Sequence, residues 1–217
     1  MTSRSYRMNT DSGHAPCAFD SLRDLARVTP KNCIQIGSKV LSLSTCAKNV
    51  RAIVQEGNYV LGISSNDFGE KANCLVWAGK VSRIIQKSEY FQKFPGRPDN
   101  YYKSVREKYI QTQNPFHGEG DLHSDLNPPN VLLFEDEWWY FGSSLKERVP
   151  QGLMAQRQEA KILDEALTAS FIGSIAWKYP RNQVLDMPNH LNRGWLYDYM
   201  VEYYCSKETP KKKTKRC

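Results

Sequence analysis

Several things are missing from this sequence, and each absence closes off a class of protein. No apolar run approaches the ~20 residues that a membrane span needs. The opening residues MTSRSYRMNTDSG carry no hydrophobic signal segment, so a soluble, intracellular chain with no membrane partner is expected. Cysteines are few and irregular, at 17, 33, 46, 74, 205 and 217, with no Cys-x-x-Cys pair. That pattern excludes a disulfide framework and argues against structural zinc, leaving buried or free intracellular thiols. There is no Gly-rich phosphate loop, no nucleophile-elbow motif and no internal repeat. No metal site is expected, and no cofactor can be read from the chain.

Excess charge is also scarcer than it first looks. The formal net charge is +7, but residues 207–217 hold six Lys/Arg against one Glu, a net of +5, which leaves +2 for the rest. The body is not a basic nucleic-acid-binding surface. The tail is basic, and Lys211, Lys212 and Lys213 are its candidate phosphate contacts. The order Pro-Lys-Lys-Lys-Thr-Lys-Arg fits either a phosphate-seeking tail or a nuclear-import signal, so the expected location is cytoplasmic, or nuclear if the signal is read.

What is present is apolar enough for a core: 40% hydrophobic residues, 12% aromatic, in 217. Tyr59-Val60-Leu61-Gly62-Ile63 and Leu75-Val76-Trp77-Ala78-Gly79-Lys80-Val81 read as neighbouring antiparallel strands joined by the polar loop SSNDFGEKAN. A short helix begins at Ser88-Glu89-Tyr90 and stops at Pro95-Gly96. Residues 20–28 have helical spacing, and Lys39–Ser44 alternates like a half-buried strand. Lys48 and Arg51 follow it on an expected exposed turn, either solvated or meeting a phosphate. Residues 95–130 form an irregular stretch that interleaves His117 and His123 with Glu119, Asp121 and Asp125. Residues 131–142 read as a hairpin in which Trp138 and Tyr140 point to one face and Trp139 and Phe141 to the other. One pair would belong to the core and the other would be open to stack on a base. Helical stripes follow over 155–171 and 190–207.

The expected fold class is α+β: a small PUA-like pseudo-barrel, or an antiparallel sheet, with a C-terminal helical cap. The expected organisation is a core over 1–150, a helical extension over 151–206 and a basic tail over 207–217.

In their order and spacing, DSGHAPCAF at 11–19, LSTCAK at 43–48, GNYVLGISS at 57–65, LVWAGKV at 75–81, Glu89-Tyr90-Phe91, Asp99-Asn100-Tyr101-Tyr102, and Val131-Leu132-Leu133 leading to Trp139-Tyr140-Phe141-Gly142 carry a resemblance. The chain resembles the nucleotide-modification-associated domains, the second of the numbered families with that label. The resemblance implies a link to systems that make or handle modified bases in phage and bacterial DNA. It is accompanied by a fold-level likeness to PUA/EVE-like readers of modified bases. Asn58 and Cys17 depart from the family pattern, where an acidic residue and an Asn are more usual.

Two functions follow. The first is a binding module that reads a modified base or nucleotide in DNA or another nucleic acid. Its pocket would draw on His14, Ser44, Thr45 and Lys48, on Ser64, Ser65 and Trp77, and on Asn100, Tyr101 and Trp139, with Lys48 and Arg51 on phosphate. The second is a transferase or hydrolase acting on a base or nucleotide. Its acid–base pair would be His123 with Asp125, or His14 with Asp11, because a carboxylate orients an imidazole and raises its basicity.

Overall fold

The computed structural model describes residues 2–21, 38–100, 102–105, 108–111, 117, 119–156, 159–179 and 183–185. In chain order it holds β1 (Arg4–Met8), β2 (Leu41–Leu43), α1 (Lys48–Ile53), β3 (Tyr59–Ser64), β4 (Leu75–Lys80), β5 (Arg83–Gln86) and α2 (Lys87–Lys93). Then come β6 (Tyr102–Val105), β7 (Lys108–Gln111), α3 (Leu122–Leu126), β8 (Asn130–Phe134), β9 (Trp138–Tyr140), β10 (Lys161–Ile162), α4 (Glu165–Lys178) and β11 (Gln183–Val184). This is an α+β fold.

Six strands make the main sheet in the order β10-β1-β3-β4-β9-β11. The expected β3–β4 pair is antiparallel, with Val60 opposite Gly79. β1 lies parallel to β3, with Met8 opposite Ser64, so both strands end at the same edge of the molecule. A second sheet, β2-β8-β5, is antiparallel throughout. β6 and β7 form a separate hairpin within the stretch read as irregular.

Alternation along the strands explains how these layers stack. Val60, Trp77, Trp138 and Tyr140 point from the main sheet toward Leu41, Leu43, Leu132 and Phe134 of the small sheet. Leu61, Ala78, Trp139 and Phe141 point the other way, onto Phe171, Ile172 and Ile175 of α4. The outer face of the small sheet, Ile85, Val131 and Leu133, is covered by Tyr90, Phe91 and Phe94. Both faces of the main sheet are therefore inside, each buried large side chain contributing about 1.5–3 kcal/mol.

Five expectations change. β8 and β9 belong to different sheets, so residues 131–142 are not a paired hairpin. Both tryptophan pairs are core, which leaves neither open for stacking. β2 is buried at all three residues, because Ser42 is satisfied inside by Asp99 and Tyr90. α2 starts before Ser88, which does not cap it. The helix expected over 155–171 begins at Glu165, where the Asp164 carboxylate accepts the Leu167 N–H at 2.7 Å and caps it. Most of the helix expected over 20–28, all of that over 190–207, and the basic tail lie outside the described residues.

Candidate functional site

Between the end of β2 and the start of α1 the chain turns in four residues, Ser44–Ala47. Cys46 has φ 53° and Ala47 φ 39°, the left-handed region that non-glycine residues rarely occupy. Such a turn persists only where its surroundings fix it. Here the Ser44 hydroxyl donates to the Asp99 carbonyl at 2.9 Å, and the Arg51 guanidinium donates to the Cys46 carbonyl at 2.9 Å. The result is a sharp strand-to-helix turn that puts the Cys46 thiol at the surface.

His117 meets that thiol. Its Nε2 is 3.4 Å from Cys46 Sγ, and its Nδ1 is 2.6 Å from Asp125 Oδ2. The Tyr102 hydroxyl donates to the same carboxylate oxygen at 2.5 Å. Burial opposes charge on His117, but its bonds to Asp125 and Cys46 outweigh burial and raise its pKa to about 10. Burial likewise works against the Asp125 carboxylate, yet the bonds from His117 and Tyr102 hold it below the ordinary range. A protonated His117 donates through both nitrogens, one N–H to Asp125 and one to sulfur.

Beneath these groups Arg51 is fully buried. Besides Cys46 it donates to the carbonyls of Pro128 (2.7 Å), Asn130 (2.9 Å), Asp125 (3.2 Å) and Ser124 (3.3 Å). One side chain thus ties the thiol's turn to the segment that carries the carboxylate. The Lys87 ammonium donates to the Asp125 carbonyl as well, and burial beside Arg51 lowers its pKa to about 7.

Cys46 and His117 open onto a cleft of about 770 Å³, walled also by His14, Lys48 and Asn49 and by Asn9 and Thr10 beyond β1. His14 Nδ1 donates to the Ser12 carbonyl at 2.9 Å, an arrangement that fixes its ring at the wall. Among the described residues no group of three His, Cys, Asp or Glu side chains is disposed to hold a metal, since His117 stands between the thiol and the carboxylate.

The other expected site residues scatter. His123 is exposed on α3 and does not share Asp125, which is bonded to His117, so the His123–Asp125 pair is replaced by His117–Asp125. His14 and Asp11 are drawn to different partners, because the Asp11 carboxylate accepts from Tyr140 at 2.6 Å. Arg51 spends its donors on carbonyls inside the protein and is not a phosphate contact. Trp77 is buried against Phe134, its indole N–H donating to Tyr6, and Trp139 donates to the Tyr179 carbonyl, so neither can stack on a base. Ser44 and Ser64 bond backbone carbonyls within loops, and Thr45 is buried behind the turn. Asn100 donates to the Phe91 and Phe94 carbonyls at the end of α2. Ser65 lines a neighbouring cavity, Lys48 the cleft itself. Tyr101, Lys211, Lys212 and Lys213 lie outside the described residues.

Sequence reasoning passed over Cys46 and His117 as a pair, because 71 residues separate them. The usable signal was a single cysteine between an apolar strand and a helix, ahead of a His and an Asp eight residues apart.

A family model described as nucleotide modification associated domain 2 matches residues 2–194. No curated protein and no solved structure matches the chain.

Proposed function

We propose, from the premise that this chain belongs to the nucleotide modification associated domain 2 family, that it is a thiol enzyme acting on an acyl-bearing base or nucleotide. The family carries a role in nucleotide modification systems. The observation that favours turnover over recognition alone is the chain of contacts from Cys46 Sγ through His117 to Asp125, at 3.4 and 2.6 Å, at the wall of a cleft. A nucleophile and a base within hydrogen-bond reach, with the base oriented by a third group, make up the usual apparatus of covalent catalysis.

The steps follow from the chemistry of these groups. The anionic sulfur is the attacking form, and the His117 imidazolium beside it is the proton donor at hand. Sulfur adds to the acyl carbon, forming a C–S bond. The bond to the leaving amine or alcohol then breaks as His117 Nε2 delivers its proton to that group. The product of this half is a thioester on Cys46. Water or an acceptor amine adds next, giving its proton to His117, and the C–S bond breaks to release the acyl product. Hydrolase and transferase differ only in this second nucleophile. Asp125 holds the imidazole in one orientation throughout, and Tyr102 holds Asp125.

The test is a panel of N-acylated nucleosides incubated with wild-type protein and with Cys46→Ala, followed by product analysis and intact-mass detection of acyl-protein. Turnover and an acyl adduct that both vanish in the variant support the reading. Recognition without turnover in both proteins would overturn it in favour of a binding module.

A further inference from the structure

β1 ends against two hollows. Beside the Cys46 cleft, and sharing Arg7, Asn9 and Glu159 with it, lies a second cavity of about 630 Å³. It is built where the parallel strands β1 and β3 both run out, and residues of 151–156 and 159–161 line it as well. Its volume falls within the roughly 300–1,000 Å³ typical of small-ligand sites.

The lining is unusual in kind. Four carboxamide residues line it, Asn9, Asn66, Gln151 and Gln156, together with Ser65, whose hydroxyl is bonded to Asp67. Its charges cancel, with Arg7 and Lys161 against Asp67 and Glu159. Arg7 is moreover committed within the protein: Nε donates to the Ala155 carbonyl at 2.8 Å, and a terminal nitrogen to Asn73 Oδ1 at 2.7 Å and the Ser64 carbonyl at 3.3 Å. A polyanion is bound by cations that are not already satisfied, and this cavity offers few. A carboxamide presents a donor beside an acceptor, the pattern that complements the edge of a nucleobase.

We infer that this cavity is a base subsite, which takes the neutral nucleobase or nucleoside portion of the substrate by its hydrogen-bonding edge. The shared wall of Arg7, Asn9 and Glu159 then lets the group attached to that base extend into the adjoining cleft toward Cys46. The second half of this inference rests on the thiol chemistry proposed above, whereas base binding stands by itself and is tested separately.

Full-length Cys46→Ser protein is titrated calorimetrically with the four 2′-deoxynucleosides, their 5′-monophosphates and inorganic phosphate, at low and at high salt. At least one deoxynucleoside binds, its monophosphate binds with similar affinity, and salt has little effect. Adding Gln151→Ala and Gln156→Ala weakens that nucleoside about tenfold or more, as loss of a bidentate base contact does. Asn66→Ala, in another segment of the lining, gives a loss of the same kind if the double change fails to fold. Absence of nucleoside binding overturns the subsite, as does affinity that follows phosphate and falls with salt, or affinity indifferent to all three amides. Cys46 reactivity, measured in parallel on protein that retains the thiol, separates the two proposals. A reactive thiol without nucleoside binding overturns the base subsite alone, while nucleoside binding beside an unreactive thiol upholds it and removes the covalent chemistry.

Discussion

Asp125 holds His117 at 2.6 Å and turns away from His123, its neighbour two positions earlier on the same short helix. Residues i and i+2 on a helix point to different sides, so one carboxylate cannot serve a buried contact inward and His123 outward. The partner comes instead from the loop before the helix, and it brings the Cys46 thiol into line.

Alkylation of Cys46 by iodoacetamide reads this arrangement directly. His117 has its pKa raised to about 10, so it remains a cation across neutral pH and loses its charge only as pH rises through that value. With His117 charged beside it, wild-type Cys46 is alkylated readily across neutral pH. Asp125→Asn removes the main support for that charge and slows alkylation at neutral pH about tenfold. His123→Ala keeps the wild-type rate. Peptide mapping assigns the rates to Cys46, and identical rates for Asp125→Asn and wild type would break the proposed chain of contacts.

Arg51→Met should unfold the site from below. The guanidinium satisfies five buried or half-buried carbonyls, and a methionine leaves them without donors. Removing one member of such a buried charged network costs about 3–5 kcal/mol. Arg51→Lys recovers little of this, because one ammonium cannot span the fan of acceptors that a planar guanidinium reaches. Chemical denaturation of the three proteins gives the comparison.

Asp11 gives a pH dependence of definite sign. Burial raises its carboxyl from 3.8 to about 6, against the lowering effect of the bond from Tyr140. The folded state therefore binds more protons than the unfolded one between these values, and this group's contribution to stability falls as pH rises from 3.8 to about 6. The difference amounts to about 3 kcal/mol. Asp11→Asn keeps an acceptor for Tyr140 and has no carboxyl to ionise. It should match wild type near about pH 4 and exceed it by up to about 3 kcal/mol above about pH 7. Urea midpoints at the two pH values decide it.

Gly62→Ala tests the closeness of β1, β3 and β4. A Cβ there would overlap the Trp77 indole and stand 2.7 Å from Met8 Sδ. Trp77 cannot retreat, since Phe134 packs at its other side with ring centroids 5.2 Å apart. Overpacking of this kind costs about 1–3 kcal/mol, and a melting temperature equal to that of wild type would contradict the packing described.

How much of this was legible in the sequence follows from the range of each interaction. β3 and β4 could be placed because their apolar runs, their separating loop and their pairing are all local. The family membership could be read for a related reason, since the order of short motifs along the chain is a linear property. The hairpin at 131–142 failed because strand pattern does not reveal which sheet a strand joins. Arg51 was misjudged because a cation's burial depends on acceptors 73 to 79 residues away, none of which marks the arginine itself.

The sequence by itself determined the β3–β4 pair, the double-sided apolar alternation of Trp138 to Phe141 and the family. These depend on each residue's own polarity and on neighbours a few positions distant. Only the tertiary structure decided that both tryptophan faces are buried, that Asp125 belongs to His117, and that Cys46 stands exposed at a strained turn beside them. The reason is geometric: hydrogen bonds act over about 3 Å, and the groups that make this site are brought to that distance by the pairing of β2 with β8 in the small sheet and by Arg51 bonding the segment before β8, not by their spacing in the chain.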